Sequence, residues 1–569
     1  MSLEGFISGA NGRVGVRLAG LYVPATLLYV LVVWLLWAIG IEAIYGSPTP
    51  FYALYYPAFD SPFIPSVVLL LSCTVFLVGR RFLPMESRAS LPFHACWIAL
   101  ALLAALSVAA GRREHGLSSF LLDQWAVLRW HLVALTVFTA FFGGLFQGLR
   151  RMDWFDAEPS RRFTSGFLIG LIAFAFLFPG AIAMLRDGTH GIAQAYGRHG
   201  YEYVSDIGVT RSIRTLFHDY AKLHPYLSMH AKVHPPGPIA LLWLISYVAG
   251  QDPLPLSVAT MLVGALGVLP LYLWAADLIN RRVALTCCVL CSLMPSIVLF
   301  SATSADILFM PFTLTTLFLF WRALHRRSVG YALAAGVGYG LMSLLSFSLL
   351  SLGAYFAFVG LWRSMDPKWR RPVLQTALVM IAAFLLFHLA VRAWSGFDIL
   401  ACFRASRAQF DVDQVNLDLL TPRYPSWFWQ LGNPACWFFF AGIPVSVLFV
   451  WRLATLSGFG FRVSGVGSGT PTMGSDQEAC NNPKPETRNP KPGVFVVCAL
   501  TLAVLSFTYL GRGEGERSAM YILPFVALPA AHLIDQIGRM TRSFAPLAVT
   551  AAFLGLQCWA IESVLYTFW

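Results

Sequence analysis

The chain has 569 residues, of which 57% are hydrophobic and only 12% charged, with 40 basic against 28 acidic side chains and a net charge of +12. A soluble domain carries about 25% charged residues, so there is too little polar surface to coat soluble domains of this total size, and the chain reads as an integral, multi-pass membrane protein. The basic residues lie in twos and threes between apolar runs, which excludes a nucleic-acid partner and points to membrane topology.

Apolar runs long enough to cross a ~30 Å hydrocarbon core as helices number about fifteen. They lie near 17–43, 63–79, 92–110, 126–148, 164–186, 255–278, 283–300, 306–323, 330–347, 349–362, 373–393, 427–451, 493–510, 518–537 and 544–566. The expected fold class is therefore all-α and polytopic, with interfacial helices in a large first outer loop. The first run follows Arg13 and Arg17, is too long for a signal core and lacks a small-residue cleavage site, so it is expected to be an anchor. Short loops rich in Arg and Lys stay cytoplasmic. Arg80, Arg81 and Arg88; Arg150, Arg151, Arg161 and Arg162; Arg281 and Arg282; Arg326 and Arg327; and Lys368, Arg370 and Arg371 mark such loops. They share one side only if the short run 239–250, entered through Pro235, Pro236 and Pro238, is an interfacial or re-entrant helix that does not cross. The N-terminus is then cytoplasmic and Trp569 outside.

This reading divides the chain into an N-terminal membrane segment of four spans (1–160), a membrane core (161–454) with its outer loop at 187–238, a Gly/Pro/Ser-rich cytoplasmic loop (455–492) expected to be disordered, and C-terminal spans (493–569). Cys287, Cys288 and Cys291 fall inside an apolar run without His, Asp or Glu and read as core thiols, not as a metal cluster. Only Cys402 falls in a polar outer loop, so no disulfide framework is expected.

Titratable groups concentrate in the first outer loop, which holds Glu202, Asp206, Arg211, Asp219, Lys222, Lys232 and half the histidines. If 201–207 is helical, Glu202 and Asp206 stand one turn apart on one face, and each disfavours ionisation of the other. Such a pair suits proton abstraction; the alternative is the wet face of an amphipathic surface helix. His230 and His234 have the spacing of metal ligands, but Pro235 pushes residue 234 out of helical geometry. Beside Lys232, a histidine here either binds a phosphate or is an ordinary interfacial residue. Asp306 stands where one span ends outside and the next begins, either as a functional acid or as a loop-end acid. In LGRGEGERSAMYILPF, Arg512, Glu514, Glu516 and Arg517 sit between two spans. Arg517 either forks onto a lipid phosphate or snorkels and pairs with a neighbouring glutamate. The outer segment 394–426 reads as a solvated cap or a cover over the site.

From KVHPPGPIALLWLI onward the sequence resembles membrane glycosyltransferases of the GT-C superfamily, including protein O-mannosyltransferase-like and aminoarabinose-transferase-like enzymes. The likeness continues through ALGVLPLYLWAADLINRRVALTCCVLCSLMPSIVLFSATSADILFMPFTLTTLFLFWRAL and RGEGERSAMYILPF, over roughly residues 164–537. It implies a GT-C-like fold, a sugar carried on a polyprenyl phosphate, an outer-loop carboxylate that activates the hydroxyl of a glycan, lipid or protein acceptor, and basic residues that hold the leaving phosphate. By position, Asp206 or Glu202 corresponds to the first-loop acid, His234 to the His-Pro-Pro histidine, and Asp306 to the second-loop acid. Familiar members place their first-loop acids side by side after a single span; here three residues separate them and five spans precede the loop.

The candidate catalytic residues are thus Asp206, Glu202 and Asp306, and the candidate substrate-binding residues His234, Lys232, Arg211, Arg512, Glu514 and Arg517. No protein metal site is expected, a divalent metal is left open, and glycosyl transfer needs no redox cofactor. The likeness to bacterial members places the chain in a bacterial cytoplasmic (inner) membrane. The competing reading is a transporter or flippase for a lipid-linked or anionic solute, which wants its charges at mid-membrane. A weaker one is an assembly subunit whose polar loops bind partners.

Overall fold

The computed structural model describes residues 14–40, 56–57, 117–152, 154–420, 426–456, 493–507, 515–518 and 520–566. The expected spans at 63–79 and 92–110, residues 457–492 of the expected 455–492 loop, Arg512 and Glu514 lie outside the described residues. The described chain is helical apart from a two-residue antiparallel pairing of Tyr56–Pro57 with Leu565–Tyr566.

Among the described residues seven helices are long and apolar enough to cross a membrane: Arg129–Arg150, Arg161–Leu185, Pro253–Leu278, Ala305–Arg326, Pro367–Ser395, Met520–Thr541 and Ala545–Glu562. All seven overlap an expected span. The expectation of about fifteen is met only in part among the described residues, because several apolar runs are broken. Residues 283–300 form two helices, Arg281–Cys291 and Pro295–Phe300, since Pro295 cannot continue the first and instead opens the second. The run 427–451 becomes Gly432–Phe440 and Ile443–Leu456, bent by 112°. Gly442 takes φ +94 at the corner, a backbone region open to glycine. Gln557 serves the freed backbone there: its Oε1 accepts from Ile443 N–H at 3.0 Å and its Nε2 donates to the Phe439 carbonyl at 2.8 Å. Such internal partners are required where no water reaches.

The helix Gly237–Ala249 has 13 residues and reaches ~20 Å at 1.5 Å per residue, short of a full crossing. Its first residue lies so close to the Leu344 carbonyl that a Cβ would stand 2.1 Å from the oxygen; only glycine lets the two backbones meet. Cys287, Cys288 and Cys291 are buried thiols on one helix. Cys402, expected in an exposed polar loop, is instead buried on the Ile399–Leu420 helix.

The helices carry two polar ends. At one, Arg282 pairs with Asp535 at 2.7 Å and donates to the Trp154 carbonyl, Arg281 N–H reaches Glu158, and Arg542 pairs with Asp156. Asp277 accepts from Arg322 at 2.9 Å, and Arg327 and Arg363 both lie over Trp369. The described loops among those expected to share a side, around Arg150–Arg162, Arg281 and Arg282, Arg326 and Arg327, and Lys368–Arg371, gather at this end, while the loop of Arg80, Arg81 and Arg88 lies outside the described residues. The other end holds the long loop after Asp187, the turn before Asp306 and the segment around Arg517.

Candidate active site

Three distant segments converge on one guanidinium. Arg517 Nη1 lies 3.5 Å from Glu202 Oε1, its Nε 3.4 Å from Asp306 Oδ2, and its Nη2 3.5 Å from His230 Nδ1. His230 Nε2 faces Glu202 Oε1 at 3.8 Å. All four side chains are withdrawn from solvent: Glu202, Arg517 and His230 are 7% exposed or less and Asp306 13%.

Local structure explains how each is aimed. Glu202 stands in extended conformation immediately before the tight 3-10 turn Tyr203–Val209. Two backbone hydrogen bonds, Met229 N–H to the Gly200 carbonyl at 2.9 Å and His230 N–H to the Tyr201 carbonyl at 3.2 Å, lay 229–230 alongside 200–201. They bring His230 beside Glu202. Asp306 occupies the turn Ala305–Leu308 that leads into the Phe309–Arg326 helix, its N–H held by the Ser304 hydroxyl at 3.2 Å. Arg517 comes from the single helical turn Gly515–Ser518, packed near Trp437. Tyr220 draws the far side of the loop together by donating to the Ala231 and His234 carbonyls.

Burial, reinforced by the Arg517 and His234 charges, pushes the His230 imidazole well below its ordinary pKa. It is therefore neutral near pH 7, and its approach to Glu202 is not an ion pair. Tyr203 packs edge-on against His234 with centroids 5.6 Å apart. Burial and then the Asp306 and Glu202 carboxylates push its phenol well above the usual range, so it remains a neutral O–H group. Tyr196, whose hydroxyl donates to Thr260 at 3.1 Å, is raised by burial and also feels both carboxylates. The cluster is thus two acids, one permanent cation and neutral donors in buried, low-dielectric surroundings. That set can accept a proton and hold an anionic oxygen.

Of the residues singled out in the sequence, Glu202, Asp306 and Arg517 meet. Asp206 does not join them: its oxygens accept from Ser228 N–H at 3.0 and 3.2 Å and from the Ser228 hydroxyl at 2.6 Å. His234 bonds through Nδ1 to the His230 carbonyl at 2.9 Å and lies behind the cluster, against Tyr203. Lys232 bears on Asp206, and Arg211 is exposed. His230, Tyr203 and Tyr196 were not among the candidates. His230 is two residues from Lys232 in SMHAKVHPP, yet its selection over its neighbours depends on backbone register. Among the described residues no three His, Cys, Asp or Glu side chains are arranged to hold a metal ion.

Asp206 gives a direct test of its structural contact. Burial raises its pKa, partly offset by the Ser228 hydrogen bonds and Lys232. A raised carboxyl binds its proton more tightly in the folded state, so its contribution to stability falls as pH rises from the ordinary aspartate range through the folded pKa. Asp206→Asn can still accept from Ser228 N–H and donate to the hydroxyl. It is expected to lie within about 1 kcal/mol of the native protein and to lose that pH dependence. Asp206→Ala strands the Ser228 N–H and is expected to cost about 1–3 kcal/mol. Unfolding followed against pH measures both; equal pH profiles for native and Asn proteins would contradict the argument.

Residues 233–393 match the family model described as dolichyl-phosphate-mannose-protein mannosyltransferase, and the resemblance to GT-C membrane glycosyltransferases is borne out by this segment. The match includes His234 and Asp306, whereas Glu202, His230 and Arg517 lie outside it. No curated protein matches the chain. Among solved structures it is similar to the oligosaccharyltransferase of Archaeoglobus fulgidus. With a tethered acceptor peptide, that protein matches at TM-score 0.38 and 13% identity, covering 73% of this chain and 56% of that one. Its apo form matches at 0.39 and 15%, covering 70% and 56%. Its complex with an inhibitory peptide and a dolichol-phosphate matches at 0.39 and 15%, covering 71% and 56%. The chain spans just over half the length of these proteins, and so distant a likeness assigns no role to any residue.

Proposed function

We propose that the protein is a membrane glycosyltransferase that moves a sugar from a polyprenyl-phosphate donor to an acceptor hydroxyl on the non-cytoplasmic side of the membrane. The observation that carries this reading is the convergence of Glu202 and Asp306 on Arg517 at the end of the bundle opposite the arginine-rich loops. The family match to a dolichyl-phosphate-mannose-using family supports it. A nucleotide sugar does not cross a membrane, so a site on that side needs a sugar carried by lipid, with its phosphate at interface depth.

In the proposed step the acceptor oxygen bonds to the sugar C1 as the bond from C1 to the phosphate oxygen breaks. The acceptor proton passes to Glu202, and the bonding pair leaves with the phosphate. Arg517 takes the charge gathering on that phosphate through its planar fork, Asp306 holds the guanidinium in place, and neutral His230 contributes a hydrogen bond. Glu202 is preferred to Asp206 as the base because Ser228 already occupies both Asp206 oxygens, its N–H on Oδ1 and its hydroxyl on Oδ2. The acceptor is a glycan, lipid or protein. His234 and Lys232 shape the loop, while Arg512 and Glu514 are proposed to extend the phosphate-binding side.

Purified protein in liposomes, given a polyprenyl-phosphate sugar and a soluble hydroxyl acceptor, tests the reading. Transfer of the sugar, retained by Asp206→Asn, is the expected result. Movement of the lipid-linked sugar or an anionic solute across the bilayer without transfer would replace the enzyme with a flippase or transporter.

A further inference from the structure

The end of the bundle away from Arg517 holds a second polar group that the ion pairs there leave unused. Arg452, near the close of the Ile443–Leu456 helix, places its guanidinium 4.9 Å from the centre of the Phe495 ring. The His532 ring lies 5.1 Å from the same phenyl ring. Phe495 is fully buried, so both are held against a packed surface where Ile443–Leu456, Gly493–Phe507 and Leu523–Thr541 meet. Gln536 follows His532 by one helical turn and Arg539 comes a turn later, on the same face. Arg452 and Arg539 both act electrostatically on His532.

Three atoms of this group, Arg452 Nε, His532 Nδ1 and Gln536 Oε1, are shut off from solvent and have no hydrogen bond among the described residues. Arg452 has no ion pair among those residues either; Arg539 bears on Asp535 one turn back, but Asp535 is held at 2.7 Å by Arg282. A half-buried guanidinium with no ion pair among the described residues, as at Arg452, is costly, and the exposed Arg539 bears on the same imidazole, beside an amide that can turn to donate. A cation-rich set of this kind suits an anion, not a metal. Arg452, Gln536 and Arg539 lie near the ends of their helices, the depth at which lipid phosphates sit.

We infer that this three-helix junction binds the phosphate group of an anionic ligand, with Arg452 and Arg539 supplying charge and His532 and Gln536 supplying hydrogen bonds. The phosphate belongs either to a phospholipid head group or to free phosphate. The junction is separate from the Glu202–Arg517 cluster, so it stands or falls independently of the transferase reading.

Delipidated full-length protein in detergent is titrated with phosphatidylglycerol and, separately, with inorganic phosphate. Retained lipid is read by native mass spectrometry and the unfolding midpoint by heating. The native protein is expected to bind and gain in midpoint, and Arg452→Gln and Arg539→Gln each to bind about tenfold more weakly, the loss of one charge-assisted hydrogen bond. A response to phosphatidylglycerol alone identifies a head-group site; competition by inorganic phosphate identifies one that also takes the free ion. Arg539 is exposed, so its variant keeps the test informative should Arg452→Gln fold poorly. Equal binding by the native protein and Arg539→Gln, or no response to either phosphate source, would overturn the inference.

Discussion

Glu202→Gln is expected to lower sugar transfer by about 10²–10⁴-fold, the usual contribution of a positioned general base, with little change in stability. Glutamine keeps the shape of the side chain and an oxygen that accepts from Arg517 Nη1, which lies 3.5 Å from Oε1, but it cannot take the acceptor proton. The loss should therefore fall on kcat, with KM for the lipid donor close to native. Asp306→Asn probes a different role. It retains an acceptor for Arg517 Nε but weakens the hold on the guanidinium, so its effect should be smaller and should include weaker donor binding. Rates measured over a range of donor concentrations separate the two. Full transfer by Glu202→Gln would remove the base assignment, and a larger kcat loss in Asp306→Asn would move the base to Asp306.

The parts of the fold that follow from local composition were legible in the sequence. The helices Arg161–Leu185, Pro253–Leu278, Ala305–Arg326 and Pro367–Ser395 lie on the expected runs 164–186, 255–278, 306–323 and 373–393, because each is an apolar stretch bounded by charge or proline. Breaks inside continuous apolar stretches were not legible. The corner at Gly442 depends on Gln557, over a hundred residues away, and hydropathy cannot register such a partner. The site shows the same division. Charge concentration pointed to the first loop, to Asp306 and to Arg517, while the pairing of Glu202 with Asp206 on one face rested on an assumed helix over 201–207 and the choice between them stayed open. The structure has Glu202 extended and Tyr203–Val209 in a tighter 3-10 turn, so the two acids part and Asp206 turns to Ser228. His230 enters through pairing with Tyr201, a contact between segments that no spacing rule encodes.

Arg517→Met is expected to cost about 3–5 kcal/mol of stability, because it leaves Glu202 and Asp306 buried beside each other's charge without a cation. It is also expected to lower transfer by about 10²–10³-fold through loss of the phosphate-holding fork. Stability and chemistry can be separated by removing the charges together. The triple variant Arg517→Met, Glu202→Gln, Asp306→Asn has no buried charge left to compensate, so it should recover much of the lost stability while remaining inactive. Arg517→Lys supplies the third comparison. Its single ammonium preserves the charge but cannot reach Glu202, Asp306 and His230 at once, as Nη1, Nε and Nη2 of arginine do. It should fold nearly as well as the native protein yet transfer poorly. Denaturant unfolding in a fixed detergent, run beside the transfer assay, measures all three. An Arg517→Met protein as stable as the native one would mean that the guanidinium does not compensate the two acids. A fully active Arg517→Lys would mean that only its charge is needed, and the forked hold on phosphate would have to be given up.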